Sequence, residues 1–136
     1  MPTGPTIAPS TTAAAFPTYS ANNTNSAQQN TVDESLYLCP GEVVSLSSCD
    51  CGGDTYLRLY SDVSGNQVAS NDDSSACGLC SILTYATEAS GDCQTYTVKQ
   101  GCYGSLSCNG TVVISVTTGG SLSATTAPLL HHSIFK

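Results

Sequence analysis

The sequence has no tryptophan, one methionine and two phenylalanines, so tyrosine supplies seven of its nine aromatic residues. It carries only three lysines plus arginines against ten acidic residues, for a net charge of −7. Phosphate backbones are held by clustered Lys and Arg, so no nucleic acid partner is expected. No apolar run approaches the roughly 18–20 residues that cross a bilayer as a helix, and no membrane span is expected. Apolar residues nowhere recur at helical spacing, so helices are not expected. The only histidines are His131 and His132, and no G-x-S-x-G elbow is present. A serine without a base nearby is a weak nucleophile, and we expect no enzymatic activity.

What the chain has in excess is cysteine: Cys39, Cys49, Cys51, Cys77, Cys80, Cys93, Cys102 and Cys108. An even, dense set in an acidic, lysine-poor chain indicates disulfides and an extracellular or cell-surface location. All eight, with all ten acidic residues, fall between Asp33 and Cys108, whereas residues 1–32 contain no charged side chain. This shift divides the chain into an extended, Pro/Thr/Ser-rich tail (1–33), a folded domain (34–118) and a C-terminal tail (119–136). A folded part of about 85 residues gains modest stability from apolar burial alone, and cross-links are the usual remedy. Cys102 and Cys108 flank a short loop between two strands expected to pair, so a hairpin-closing disulfide is favoured there. The other cysteines stay unassigned among the 105 pairings that eight allow. Cys49, Cys51, Cys77 and Cys80 have an alternative as a four-thiolate zinc site.

From Glu34 onward the pattern is β. Strands are expected over residues 35–38, 43–47, 55–60, 67–70, 81–87, 95–99 and 111–116, each bounded by turn residues such as Cys39-Pro40-Gly41 and Gly91-Asp92. In the central strand, Leu57 and Leu59 take one face while Tyr56, Arg58 and Tyr60 take the other. Short strands at regular spacing indicate an all-β, antiparallel, two-sheet β-sandwich of jelly-roll type, braced by disulfides and flanked by extended tails.

The order Gly53-Asp54-Thr55-Tyr56-Leu57-Arg58-Leu59-Tyr60, Asp62-Val63-Ser64-Gly65-Asn66, Val68-Ala69-Ser70-Asn71-Asp72-Asp73, Leu83-Thr84-Tyr85, Tyr96-Thr97-Val98 and Val112 to Val116 resembles the bacterial pre-peptidase C-terminal domain. The similarity spans roughly Leu38 to Val116. It implies a secreted jelly-roll-like sandwich of the kind attached to many exported proteins, with collagen-binding modules among its collagenase members and calcium bound by some relatives. The eight cysteines depart from that pattern, and no peptidase segment lies within these 136 residues.

Candidate sites follow from residue types. Asp72 and Asp73, with Asp54 and Asp62 as further candidates should the fold bring them close, offer the hard oxygen ligands that calcium prefers, and the alternative is a solvated acidic turn. No other cofactor is indicated. Tyr56 and Tyr60 share a strand face and could stack on sugars or anchor a protein partner. Asn22-Asn23-Thr24 and Asn109-Gly110-Thr111 are N-glycan acceptor patterns at Asn22 and Asn109. The function expected is a non-enzymatic extracellular structural protein, a subunit of a surface filament that polymerises with other copies of itself. Strand addition would use Ile7 to Tyr19 or Leu129 to Phe135. The alternative is a secreted carbohydrate- or protein-binding accessory module, calcium-stabilised, with glycans as partners.

Overall fold

The computed structural model describes residues 11–118, so the C-terminal tail, His131, His132, Leu129 to Phe135 and residues 7–10 lie outside the described residues. Eleven strands run in chain order: β1 (Thr11–Ala15), β2 (Tyr19–Asn22), β3 (Val32–Leu38), β4 (Glu42–Ser47), β5 (Gly52–Gly53), β6 (Thr55–Ser61), β7 (Gln67–Asn71), β8 (Ile82–Ala86), β9 (Gln94–Cys102), β10 (Ser107–Gly110) and β11 (Val113–Thr118). The described residues contain no helix.

The strands form three antiparallel sheets, ordered β1-β11-β4-β8, β2-β10-β5 and β3-β9-β6-β7. Two sheets were expected, and the third has a simple origin. Strands β1, β11 and β4 lead directly into β2, β10 and β5, which keep the same lateral order. Each connection bends: at Phe16-Pro17-Thr18, where proline withholds a ladder donor; at Thr111-Val112; and at Cys49-Asp50-Cys51, where Asp50 is left-handed (φ 73°). The second sheet is thus the folded-over end of the first, and the assembly is sandwich-like.

The core lies between the first and third sheets. Leu36, Leu38, Leu57, Leu59, Tyr96 and Val98 from one meet Val44, Leu46, Leu83, Ile114 and Val116 from the other. Leu57 and Leu59 are fully buried, while Tyr56, Arg58 and Tyr60 are half-buried on the outer side. Burying one such aliphatic side chain contributes about 1.5–3 kcal/mol relative to leaving it exposed.

Folding begins earlier in the chain than residue 34. Strand β1 pairs with β11, from Thr11↔Thr117 to Ala15↔Val113, and β2 pairs with β10. Phe16 and Tyr19 enter the core. Thr11-Thr12-Ala13-Ala14-Ala15 carries neither charge nor bulky apolar groups, so its strand character comes from a ladder to residues about a hundred positions away, which local composition does not report.

Between β2 and β3 the chain makes an unusual cap. Asn25, Ser26 and Ala27 are consecutively left-handed (φ 52°, 58° and 63°), as are Asn23 and Asn30. A left-handed turn costs non-glycine residues about 1–2 kcal/mol each. Local anchoring offsets that cost: the Thr24 hydroxyl donates to Cys102 O (2.8 Å) and accepts from Cys102 N (2.8 Å) and Ala27 N (3.0 Å). Arg58 Nε also donates to Ser26 O (2.8 Å). Gly101 makes room, since a Cβ there would lie 2.8 Å from the Cα of Ala27.

The cysteines pair as Cys39–Cys93, Cys49–Cys77, Cys51–Cys80 and Cys102–Cys108. The four candidates for zinc are therefore two disulfides, with no thiolate left to ligate. Cys102 and Cys108 do not close a hairpin: β9 pairs with β3 and β6, whereas β10 pairs with β2 and β5. Their disulfide ties the third sheet to the second, because residues 103–106 carry the chain from one layer to the other.

Candidate functional site

The acidic residues expected to form a site separate in the structure. Asp54, Asp72 and Asp73 converge, each with a carboxylate oxygen within 4.8 Å of the others. Asp62 does not join them; it accepts a hydrogen bond from Thr97 Oγ1 (2.7 Å) at the other end of β6.

Two features position the cluster. Asp54 follows Gly53, whose φ of 88° and tight fit (a Cβ would lie 2.8 Å from Ser107 O) require glycine. Asp72 and Asp73 open the loop to β8, and that loop is held by Cys49–Cys77 and Cys51–Cys80. Beneath it lies a knot of buried hydroxyls: Ser48 Oγ is 2.7 Å and Ser81 Oγ 3.1 Å from Thr55 Oγ1, and Ser81 N donates to Ser48 Oγ (2.9 Å). All three residues are fully enclosed. Nothing in the sequence singles out these residues among its many serines and threonines, because only the fold brings them together.

Asp54 Oδ1 and Asp72 Oδ1 are shut off from solvent and accept no hydrogen bond from a donor in the protein. Burial, followed by the negative charges of Asp54 and Asp73, pushes the Asp72 carboxyl up to about 6. Asp54 is also raised, first by burial and then by the charge of Asp73. The described cations are engaged elsewhere, with Lys99 on Asp33 (3.1 Å) and Arg58 on Ser26 and Gln67. Such a cluster relieves its repulsion by holding a proton or by taking up a cation. Three carboxylates supply part of the six to eight oxygen ligands calcium takes.

Tyr56 and Tyr60 do share the outer face of β6. The Arg58 guanidinium sits 4.6 Å from the Tyr56 ring centroid, and the Lys99 ammonium 5.5 Å from that of Tyr60. Each ring thus has a cation of the protein over one face.

Asn22 and Asn109 are exposed and lie on one face of the second sheet, where Asn109 is opposite Ser20 and Asn22 opposite Ser107. With Asn30 and Gly52 they line a shallow polar groove. The Asn109 side chain lies over Gly52, where a Cβ would come within 2.8 Å of its Nδ2.

The first sheet has a different outer face. Its middle row runs Ala13, Ser115, Ser45, Thr84 across β1, β11, β4 and β8. The flanking rows are Thr11, Thr117, Val43, Ala86 and Ala15, Val113, Ser47, Ile82. None of these residues is charged. Sequence alternation identifies the outward positions of β4 and β11, but the contribution of β1 is visible only once its pairing is known.

No family model matches the chain, and no curated protein matches it. Among solved structures, it is similar to that of the giant freshwater prawn Macrobrachium rosenbergii extra small virus VLP, at 11% identity and a TM-score of 0.31, over 89% of this chain and 90% of that one.

Proposed function

We propose that the protein is a non-enzymatic, extracellular structural subunit that assembles with copies of itself by exchanging strand β1. The observation that carries this reading is the contrast between β1 and the chain that follows it. From Phe16 onward the chain is locked by core side chains and by the Thr24 cap. Strand β1 itself has only Ala14 half-buried, and its visible fastenings are the ladder to β11 and a Thr11–Thr117 hydroxyl contact of 3.1 Å. Detaching it exposes little apolar surface, and the same ladder can be remade with β1 of a second copy. Pro17 gives the hinge. Head-to-tail repetition of such a contact yields an open chain of subunits. The four disulfides support the extracellular assignment.

The test is to mix an Ala13→Cys variant with a Ser115→Cys variant and treat with a short thiol cross-linker. Exchange gives covalent heterodimers on a non-reducing gel, with longer species in the double variant. If the double variant cross-links only within single chains and the mixture gives no heterodimer, the reading fails.

The second reading, a calcium-stabilised accessory module for carbohydrate or protein, draws on the unpartnered carboxylate oxygens of Asp54 and Asp72 and on the family resemblance. Its test is glycan-array binding that is lost in Tyr56→Ala or Tyr60→Ala, with melting temperatures compared in calcium and in chelator.

A further inference from the structure

We infer that the groove on the second sheet is a binding site for a neutral oligosaccharide. This deepens the second reading above and rests on its carbohydrate ligand, but it places that ligand on β2, β10 and the cap rather than on Tyr56 and Tyr60. The register sets Asn22 opposite Ser107 and Ser20 opposite Asn109, with Gly52 on the other side of Asn109. All four polar side chains are exposed on the outer face of the sheet. Among the described residues, no group donates to them or accepts from them. Asn30 joins them from the cap. Its Nδ2 donates to Asn23 O (2.9 Å), which leaves its side-chain oxygen as an acceptor already held in place.

The chemistry of these groups selects the ligand. Residues 11–32 and 100–118, which supply β2, β10 and the cap, contain no charged side chain. A phosphate, sulfate or carboxylate would find no cation there and would approach a chain of net charge −7. A metal ion or an amine would find no carboxylate. An acyl chain would strip water from two amides and two hydroxyls and replace none of their hydrogen bonds. A neutral polyhydroxylated ligand meets none of these penalties. An asparagine amide donates and accepts side by side, so it pairs with two neighbouring hydroxyls of a sugar ring, and each serine adds a further donor and acceptor.

Size and shape agree with that choice. Opposed side chains on antiparallel strands are ~5 Å apart and successive ones on one face ~6.8 Å apart, so one sugar unit reaches several of these groups. The groove has a volume of about 1030 Å³, at the upper end of ligand-sized clefts, with room for more than one unit. Gly52 sets the position of the Asn109 amide, since a Cβ there would come within 2.8 Å of Nδ2. The turn over residues 103–106 is fastened to the cap, with Ser26 N donating to Gly104 O (3.2 Å) and Gly104 N to Ser26 Oγ (2.9 Å). That turn carries Tyr103, which is 47% exposed. Among the described residues, neither a cation nor another ring lies over Tyr103, in contrast to Tyr56 and Tyr60, so its apolar face is open for stacking.

The experiment uses the full chain made in the bacterial periplasm, where disulfides form. An array of neutral, sialylated and sulfated glycans is followed by titration calorimetry with cellohexaose, chitohexaose and mannohexaose. Neutral glycans bind, anionic ones do not, and chelator leaves binding unchanged. Asn22→Ala, Asn109→Ala and Gly52→Ala each weaken binding roughly tenfold, as one or two lost hydrogen bonds imply, at an unchanged melting temperature. Tyr103→Ala weakens it as well. Binding that is lost in Tyr56→Ala or Tyr60→Ala but kept in the groove variants overturns the inference and leaves the second reading standing. Binding to no glycan overturns both. A preference for anionic glycans, or full affinity in every groove variant, overturns the inference alone. So does an N-glycan on Asn22 or Asn109 in protein secreted from a eukaryotic cell, because the groove is then filled by the chain's own modification.

Discussion

Tyr19 donates its phenolic hydrogen to the carbonyl of Gly101 across 2.7 Å, although the two residues are 82 positions apart. This contact joins β2 to β9, and burial raises the phenol's pKa well above its ordinary value. Tyr19→Phe is expected to lose about 1 kcal/mol, the worth of one buried hydrogen bond. Tyr19→Ala should lose about 3–5 kcal/mol, because the ring leaves a cavity. Urea unfolding of both variants separates the hydroxyl from the ring, and equal losses would show that the ring packs no useful contact.

Gly101→Ala should be worse than its single added methyl suggests. The new Cβ would lie 2.7 Å from Thr24 Oγ1 and 2.8 Å from the Ala27 Cα, and backbone yields less readily than a side-chain tip. Overpacking costs about 1–3 kcal/mol in ordinary cores. Here the cap over residues 24–27 should also lift, exposing the Cys102 amide that Thr24 holds. Amide hydrogen exchange at Cys102, faster in the variant than in wild type, is the measurement.

Stability should fall as pH rises. Asp72 titrates at about 6 in the folded chain against 3.8 in a free side chain. Between those values the unfolded chain releases its proton while the folded one keeps it, so the folded state loses ground until about pH 6 and levels off above it. Glu42 is raised as well, chiefly by burial and partly opposed by its hydrogen bond from Cys39 N, so it acts in the same direction. Melting in chelator at pH 4, 5, 6 and 7 should show the decline, and Asp72→Asn should flatten it. A decline that persists unchanged in that variant would assign the effect elsewhere. Calcium added at pH 7 should restore the lost melting temperature if the three carboxylates hold the ion.

The disulfides should differ in worth. Cys39–Cys93 closes 54 positions, while Cys102–Cys108 closes six. Loop-closure entropy then assigns about 4 kcal/mol to the first and about 2 kcal/mol to the second. Paired Cys→Ala variants, unfolded in guanidinium, give the comparison, and the reverse order would show that the cross-layer role of Cys102–Cys108 outweighs loop length.

The sequence made the centre of the fold legible and its margins obscure. Leu57 and Leu59 alternate with Tyr56 and Tyr60, so period-2 patterning marks β6 and its inner face without ambiguity. Gly52-Gly53 and Ser107-Cys108-Asn109-Gly110 have little side chain to pattern, and they become strands only because they lie beside each other at a bend. Asp54 is 18 positions before Asp72 in the chain, and residue type alone puts it on equal terms with Asp62. Only the course of β6 reveals that one is at the loop and the other at the far end. The hydroxyls of Ser48, Thr55 and Ser81 had no pattern to betray them.

The pairing of Thr11 with Thr117, 106 positions apart, places a clock on assembly. Strand β1 is made long before β11, and at about 5–20 residues per second it waits some 5–20 s for its own partner to be synthesised. Contacts of such long range also close slowly, since the intervening chain must be ordered first. On the proposed exchange of β1, the competing acceptor during that delay is the β11 edge of another molecule. Under that proposal, local crowding at the moment of synthesis, rather than the final affinity, governs how many chains close on themselves and how many are born linked.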